Sequence, residues 1–300
     1  MPAPETLWIY LDEPTLHRVE RAEHHFFKRL IGAVEAAGWQ VALRESTLAE
    51  EAAAPERPGY ALYHMEAPTH ARALTCRRAY IGAFWRIEAQ AERWEWPIAR
   101  AEFRPEEVDA RRAENFANYW RKRLYSGANP GDDGFIFLPL QGRLLGPRGF
   151  QALGPLEMIA ETLARADLPI RARLHPRESY LPEELDALAE IAAREPRFTL
   201  VSAPARDLLA RCRMVVTQNS SLAFEGFLLH KPAIVFAQID FHHIARSVPR
   251  DGLEAAFSPA PVPEFDRYML WFLKETALNA GAPEFEAQLL LRLRAAGWPI

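Results

Sequence analysis

The segment Thr217-Gln218-Asn219-Ser220-Ser221 sets amides and hydroxyls between an apolar run, 214–216, and a short amphipathic stretch that ends at His230. Such groups at a helix start do one of two jobs. They cap the helix by accepting from its first amides, or they join those amides in holding an anion such as phosphate. Glu225, four residues after Ser221, is placed to accept from two ribose hydroxyls or to serve as an ordinary first-turn acid. His175-Pro176-Arg177 follows the apolar run 170–174. His175 can donate to a phosphate or a base and Arg177 can add charge, while Pro176 can simply begin a turn. Gln141 follows the run 135–140, and Gln238, Asp240, His242 and His243 follow the run 233–236. Four apolar runs therefore end in polar groups of binding type. In open α/β sheets ligands bind beyond the carboxyl ends of the strands, so these four ends point to one site.

Elements that could present such ends recur along the chain. Strands are expected at 7–11, 40–43, 60–64 and 80–87, then at 135–140, 170–174, 198–201, 214–216 and 233–236. Helices are expected at 19–37, 116–125, 156–166, 183–194, 205–211 and 221–229, and two more at 265–276 and 285–296. Strand alternates with helix, the pattern of a parallel α/β sheet. Residues 126–134, SGANPGDDG, gather Gly, Pro and small polar residues and mark a linker. The division expected is 1–128, 129–255 and a helical segment 256–300.

Composition excludes several classes. The chain has 300 residues, 49% hydrophobic and 25% charged, which suffices for a substantial core and argues against disorder. A net charge of -4 offers no basic field for nucleic acid. Two cysteines, Cys76 and Cys212, in no paired spacing, argue against a disulfide framework or a zinc site. The start, MPAPETLWIYLDEP, lacks the basic and long apolar regions of a signal peptide, and no run approaches a membrane span. A cytoplasmic location is expected, with attachment at the inner-membrane surface left open. No GxSxG elbow surrounds Ser220 or Ser221, and no GxGxxG or Walker A motif occurs. Asp132-Asp133-Gly134 reads as turn chemistry, and the adjacent His242 and His243 as structural, since neighbouring side chains on an extended chain diverge.

Three motifs taken in order, FIFLPLQ (135–141), RLHPRE (173–178) and TQNSSLAFEGFLLHKPAIVF (217–236), resemble the bacterial capsule polysaccharide synthesis proteins, which include β-Kdo transferases. The resemblance covers about 135–240. It implies a GT-B-like fold, two Rossmann-like domains facing a cleft, with C-terminal helices. Residues 1–128 would be the acceptor side and 129–255 the nucleotide-sugar side. It implies a CMP-linked donor contacted by His175, Ser220 and Ser221, with Glu225 beside them. In that family an acid tends to follow the Gln; here Gln141 is followed by Gly142-Arg143-Leu144-Leu145-Gly146.

The expected activity is metal-independent and cofactor-free glycosyl transfer from a nucleotide sugar to a saccharide or glycolipid acceptor. Gln141, His175, Arg177, Asn219, Ser220, Ser221 and Glu225 would bind the nucleotide. A carboxylate at an N-terminal strand end would act as general base. Glu66, directly after the third strand, is the first choice, ahead of Asp12, Glu13 and Glu88. A sugar-nucleotide epimerase or hydrolase on the same frame, and a non-catalytic partner in polysaccharide assembly, are the alternatives.

Overall fold

The computed structural model describes residues 4–300; Met1, Pro2 and Ala3, part of the start read above, lie outside it. The chain divides into two compact units: one runs up to Trp96 and includes Leu273–Ile300, and the other is Pro97–Phe272. Strands are numbered along the chain.

The first unit holds β1 (Thr6–Leu11), β2 (Gln40–Glu45), β3 (Tyr60–His64), β4 (Ala73–Arg78) and β5 (Phe84–Glu88). The second holds β6 (Ile136–Pro139), β7 (Ile170–Arg173), β8 (Phe198–Leu200), β9 (Met214–Thr217), β10 (Ala233–Val235) and β11 (Arg246–Ser247). The chain then returns to add β12 (Leu278–Asn279) to the first sheet.

In the first unit the order is β12-β5-β4-β3-β1-β2. β2, β1, β3 and β4 run parallel, while β5 and β12 pair antiparallel. Alternation assigns the two faces of this sheet. Leu7, Ile9, Leu11, Leu62 and Leu74 form one core with Phe26, Phe27, Leu30 and Val34 of helix His25–Ala36. Tyr10, Ala61, Tyr63 and Ala73 form another, in which the Tyr10 and Tyr63 rings stack at 4.5 Å. Gly59 enters β3 with φ +93, and a Cβ there would meet the Thr6 carbonyl at 2.2 Å, so only glycine fits.

The second unit is an all-parallel sheet in the order β11-β10-β9-β6-β7-β8. The chain winds outward from β6 through β7 to β8, crosses back to β9 on the other side of β6, and winds outward again. That is the 3-2-1-4-5-6 order of dinucleotide-binding folds. Both units are Rossmann-like, as the family resemblance implied.

The division differs from the one expected at residue 128. Helix Ala110–Tyr125 belongs to the second unit because its buried face packs there: Ala113 with Val108 and Leu270 lies against Phe103, Phe116 and Trp271. Asp266 accepts from both Arg121 and His230. His243 adds a tie: Nε2–H donates to the Ile98 carbonyl (3.0 Å) and Nδ1 accepts from the Tyr268 hydroxyl (2.9 Å). The linker 126–134 is instead a loop within this unit. Asp132 pairs with Arg213 at 2.9 Å, Asp133 pairs with Arg211, and the Lys231 ammonium donates to the Gly131 carbonyl at 2.5 Å.

The segment 256–300 is likewise not a separate piece. Helix Phe265–Met269, continued by wider π-helical turns over Leu270–Glu275, carries the chain between units. Helix Phe285–Ala295 sets Phe285, Leu289 and Leu293 into the first core. Its Glu286 pairs with Arg29. Within the first unit, the helix expected at 19–37 is two, Glu13–Glu20 and His25–Ala36, separated at Ala22, whose φ is 55. The strand expected at 80–87 begins only at Phe84, because Tyr80 and Gly82 take positive φ.

Two outcomes are expected. Phe285→Ala should lower stability by about 3–5 kcal/mol in denaturant unfolding, the cost of emptying a buried aromatic site. Burial pushes the His243 imidazole down to about 4, with His242 and Arg250 acting the same way against the Ile98 and Ala101 hydrogen bonds. The unfolded chain then takes up the proton first, so stability is full above about pH 6.5 and is lost as pH falls towards 4, by up to about 3 kcal/mol. Unfolding curves for His243→Phe at pH 7 and pH 5 should show a smaller fall than those of the parent.

Candidate functional site

The sheet order puts a topological switch between β6 and β9, and folds of this kind bind ligands beyond the carboxyl ends of the strands at such a point. Thr217, the last residue of β9, bridges the two strands: its Oγ1 donates to the Pro139 carbonyl at 3.1 Å. The chain then diverges into Leu140-Gln141-Gly142 on one side and Gln218-Asn219-Ser220-Ser221 on the other.

Gln218 is 2% exposed. Its Nε2 donates to the Leu153 carbonyl at 3.0 Å, which fixes the sense of the amide and turns Oε1 away. That oxygen is buried and without a partner, and so is Gln141 Oε1 across the switch. An unmade hydrogen bond at a buried acceptor costs about 1–3 kcal/mol. Two of them at the place where this fold binds ligands mark positions that a donor group would satisfy. Gln218 was passed over in the sequence because it lies between Thr217 and the more conspicuous serines; only the direction of its amide singles it out.

Ser220 is the N-cap of helix Ser221–Phe227, with Oγ accepting from Leu222 N–H at 3.3 Å, and its own proton remains available to donate. Ser221 is exposed and Asn219 half-buried. The helix has seven residues, so its dipole is modest and the hydroxyls matter more than the axis. Glu225 accepts from the Tyr125 hydroxyl at 3.1 Å. Burial, then the Glu225 charge, holds that phenol well above its usual range, so Glu225 is already engaged by the protein.

After β7, His175 sits in a turn. Its amide donates to the Tyr180 hydroxyl at 2.8 Å, and its Nδ1 accepts from Arg177 N–H at 3.3 Å, leaving Nε2 as the outward nitrogen. Arg177 is exposed. Glu178, in the same turn, lies against the loop after β6: a Cβ on Gly142 would stand 2.5 Å from Glu178 Oε2. Glu184 fastens this region. It is 3% exposed; Oε1 accepts from Leu144 N–H and Oε2 from Leu181 N–H at 2.8 Å. Arg148 donates to the Gly142 carbonyl at 2.8 Å.

The polar residues after β10 play structural parts. His242 Nδ1–H faces the Ile239 carbonyl at 2.7 Å, His243 is tied as described, and Asp240 is buried. Among the described residues, no group of three or more His, Cys, Asp or Glu is arranged to hold a metal ion, and no helix is long and apolar enough to cross a membrane.

The first unit brings together Asp12 and Glu66 but not Glu88. Asp12 follows β1 and caps helix Glu13–Glu20, accepting from Thr15 N–H and Oγ1–H at 2.9 Å each. Glu13, the other acid there, is an exposed first-turn residue of that helix. Burial pushes the Asp12 carboxyl up, but the Thr15 bonds and His64 more than offset this, and it lies below its ordinary range. Glu66 follows β3 and is held above its range by burial, with the Glu51 carboxyl pushing the same way against a Ser46 hydrogen bond. Glu88 ends β5, which runs antiparallel. It stands opposite Thr75, partway along β4, 7% exposed and 3.7 Å from Arg292. The reversal of β5 removes it from the edge where Asp12 and Glu66 meet.

No protein-family model and no curated protein matches the sequence, but solved structures do match in fold. The β-Kdo 2,7 transferase of Thermosulfurimonas dismutans KpsC aligns over 96% of this chain and 100% of its own, with 13% identity and a TM-score of 0.55. The chain shares its fold with a β-Kdo transferase. The β-Kdo 2,4 transferase of the same KpsC aligns over 89% and 90%, with 13% identity and a TM-score of 0.46. The UDP-GlcNAc 2-epimerase of Methanocaldococcus jannaschii aligns over 97% and 99%, with 10% identity and a TM-score of 0.36.

Glu184→Ala should leave the buried Leu144 amide and the half-buried Leu181 amide unpaired and cost about 1–3 kcal/mol. Hydrogen exchange should show faster exchange at Leu144 and Leu181, with the β9 amides unchanged.

Proposed function

We propose that the chain is a glycosyltransferase of the capsule polysaccharide type, taking a sugar from a nucleotide donor and passing it to a saccharide or glycolipid acceptor. The carrying observation is the pair of unpartnered carboxamide oxygens at the topological switch point. The fold shared with a β-Kdo transferase and the order of the three motifs support the same reading.

The donor is CMP-linked and Kdo-like. Gln218 offers an acceptor, its amide sense being set by Leu153. The exocyclic amine of cytosine is a donor, whereas uracil presents an acceptor at that position. The hydroxyls of Ser220 and Ser221, the Asn219 amide, His175 Nε2 and Arg177 take the phosphate. They stabilise charge on the departing nucleotide without a metal ion. Gln141 completes the set of nucleotide contacts, with Glu225, one of whose oxygens is held by Tyr125, turning its other oxygen to the ribose. A proton acceptor for the incoming hydroxyl comes from the carboxyl ends of β1 and β3, where Asp12 and Glu66 lie. An acceptor on a lipid carrier would bring the protein to the inner-membrane surface from the cytoplasm.

One observation favours the non-catalytic alternative: residues 142–146 contain no acid after Gln141. Glu178, reaching Gly142 from the next loop, weighs against it by bringing a carboxylate to that place.

Calorimetry with CMP, UDP and GDP tests the reading. CMP should bind at least about tenfold more tightly than the other two, a difference of about 1.4 kcal/mol, and Gln218→Met should erase the preference. Failure of all three to bind would overturn it.

A further inference from the structure

Within the second unit, the edge opposite the switch point is also shaped. All six strands run parallel, so β10 and β11 begin there, at Ala233 and Arg246. A cavity of about 550 Å³ lies beside these starts, and its walls come from this unit alone. Small-molecule sites span about 300–1,000 Å³. Phe103, Pro105, Pro232, Ala255, Pro261 and Pro263 give it an apolar lining. The outer wall is the strap 258–264, SPAPVPE, which joins helix Leu253–Phe257 to helix Phe265–Met269. Prolines at 259, 261 and 263 remove every second backbone donor. The strap therefore cannot pair as a further strand with β11, the edge of the sheet. Its backbone is tied at the ends, where Ser258 N–H donates to the Glu254 carbonyl at 3.1 Å and Phe265 N–H to the Pro263 carbonyl at 2.9 Å. The cavity is the space that an unpaired strap leaves.

One withdrawn charge in this lining is uncommitted. Arg250 and Asp251 neutralise each other through contacts of 2.6 and 2.7 Å, and Arg250 also donates to the His242 and Ala245 carbonyls. His243 is neutral, with both ring nitrogens bonded. Glu264 is exposed on the strap. Arg246 is half-buried, and among the described residues no hydrogen bond or ion pair engages its guanidinium. A guanidinium drawn from water into apolar surroundings has donors to satisfy, in a fork that fits the paired oxygens of a carboxylate or phosphate. We infer that this cavity binds a monoanionic amphiphile, with its carboxylate or phosphodiester on Arg246 and its apolar chain along the prolines. A neutral apolar ligand would leave the guanidinium unanswered. Glu264 at the rim opposes a second negative charge, so a single one is favoured. Val262, 83% exposed in the strap, extends the apolar surface beyond the rim, where a longer chain would meet it. Gln141 and Gln218 lie at the other edge of the sheet, so this occupant is distinct from a nucleotide, and the inference stands whether or not the chain transfers a sugar.

Calorimetry with decanoate, decanol and decyltrimethylammonium, each below its micellar range, tests the site without any turnover. Decanoate should bind at least about tenfold more tightly than either of the others, the worth of one charge-assisted hydrogen-bonded pair. Arg246→Met should lose that margin and leave decanol affinity and the melting temperature unchanged, because this arginine holds nothing in the free protein. Arg246→Lys, which keeps the charge but not the fork, should retain part of the margin. Ala260→Trp, which fills the cavity from an exposed position, should block decanoate and leave CMP affinity as it was. Equal binding of decanoate and decanol, undiminished decanoate binding in Arg246→Met, or no saturable binding of decanoate would overturn the proposal. Flotation with phosphatidylcholine vesicles, with and without phosphatidylglycerol, identifies the source of the anion. Capture that needs phosphatidylglycerol and is lost in both Arg246→Met and Val262→Asp assigns the site to a bilayer lipid. Decanoate binding without capture assigns it to a free acid.

Discussion

Parallel strand pairing constrains everything else in this molecule. Parallel neighbours cannot be joined by tight hairpins, so each strand is followed by a crossover that returns along a face of the sheet. Every carboxyl end therefore opens on the same edge, and chemistry accumulates there. In the second unit the crossovers reverse direction once, between β6 and β9, and the two chains part beyond Pro139 and Thr217. The hydrogen bond from Thr217 to the Pro139 carbonyl holds the strands together up to that point. Past it, Gln141 and Gln218 leave acceptors that no protein donor reaches. The switch point follows from the winding, and its polarity from the few residues that the winding delivers to it.

The same constraint acts in the first unit with a different result. β1, β2 and β3 bring Asp12, Ser46 and His64 to one edge, and Glu66 follows one turn later. Where the pairing becomes antiparallel the logic inverts: β5 carries Glu88 back along the sheet, away from the others. Strand direction separates two carboxylates that look equivalent in sequence, since both directly follow or end an apolar run. The fixed geometry of the edge also decides their ionisation. Asp12 accepts from Thr15 and lies below its ordinary range, while burial, with the Glu51 carboxyl acting the same way, pushes Glu66 above its own.

Much of this was legible in the chain. Alternating apolar runs and amphipathic stretches defined nearly every strand and helix of the second unit, because a buried parallel strand is a short continuous apolar run bounded by polar turns. β4 was not legible. Its sequence, ALTCRR, ends in two arginines, and its burial comes from neighbours rather than from composition. The unit boundary was missed for a related reason. SGANPGDDG has the composition of a linker, but ion pairs to Arg211 and Arg213 dock it, whereas the true crossing near Trp96 is aromatic and looks like core. The places of the serines, His175 and Asp12 at strand ends could be read from the sequence. The unpartnered oxygen of Gln218 could not, since it depends on which way the Leu153 carbonyl turns the amide.

The first unit is assembled from both ends of the chain. Its sheet lacks β12, and its core lacks Phe285, Leu289, Leu293 and Trp298, until the last residues are in place. The second unit is contiguous and has all its parts once Phe272 has emerged. During synthesis the order of completion is therefore the reverse of the order of appearance. The first ninety or so residues must wait, with an unpaired β5 edge and an uncovered apolar face, while some 170 more are made. The ion pair of Arg29 with Glu286 and the ring contact of Phe26 with Phe285 are the seam that closes this gap. Nascent chains stalled before that seam should be the ones that chaperones hold.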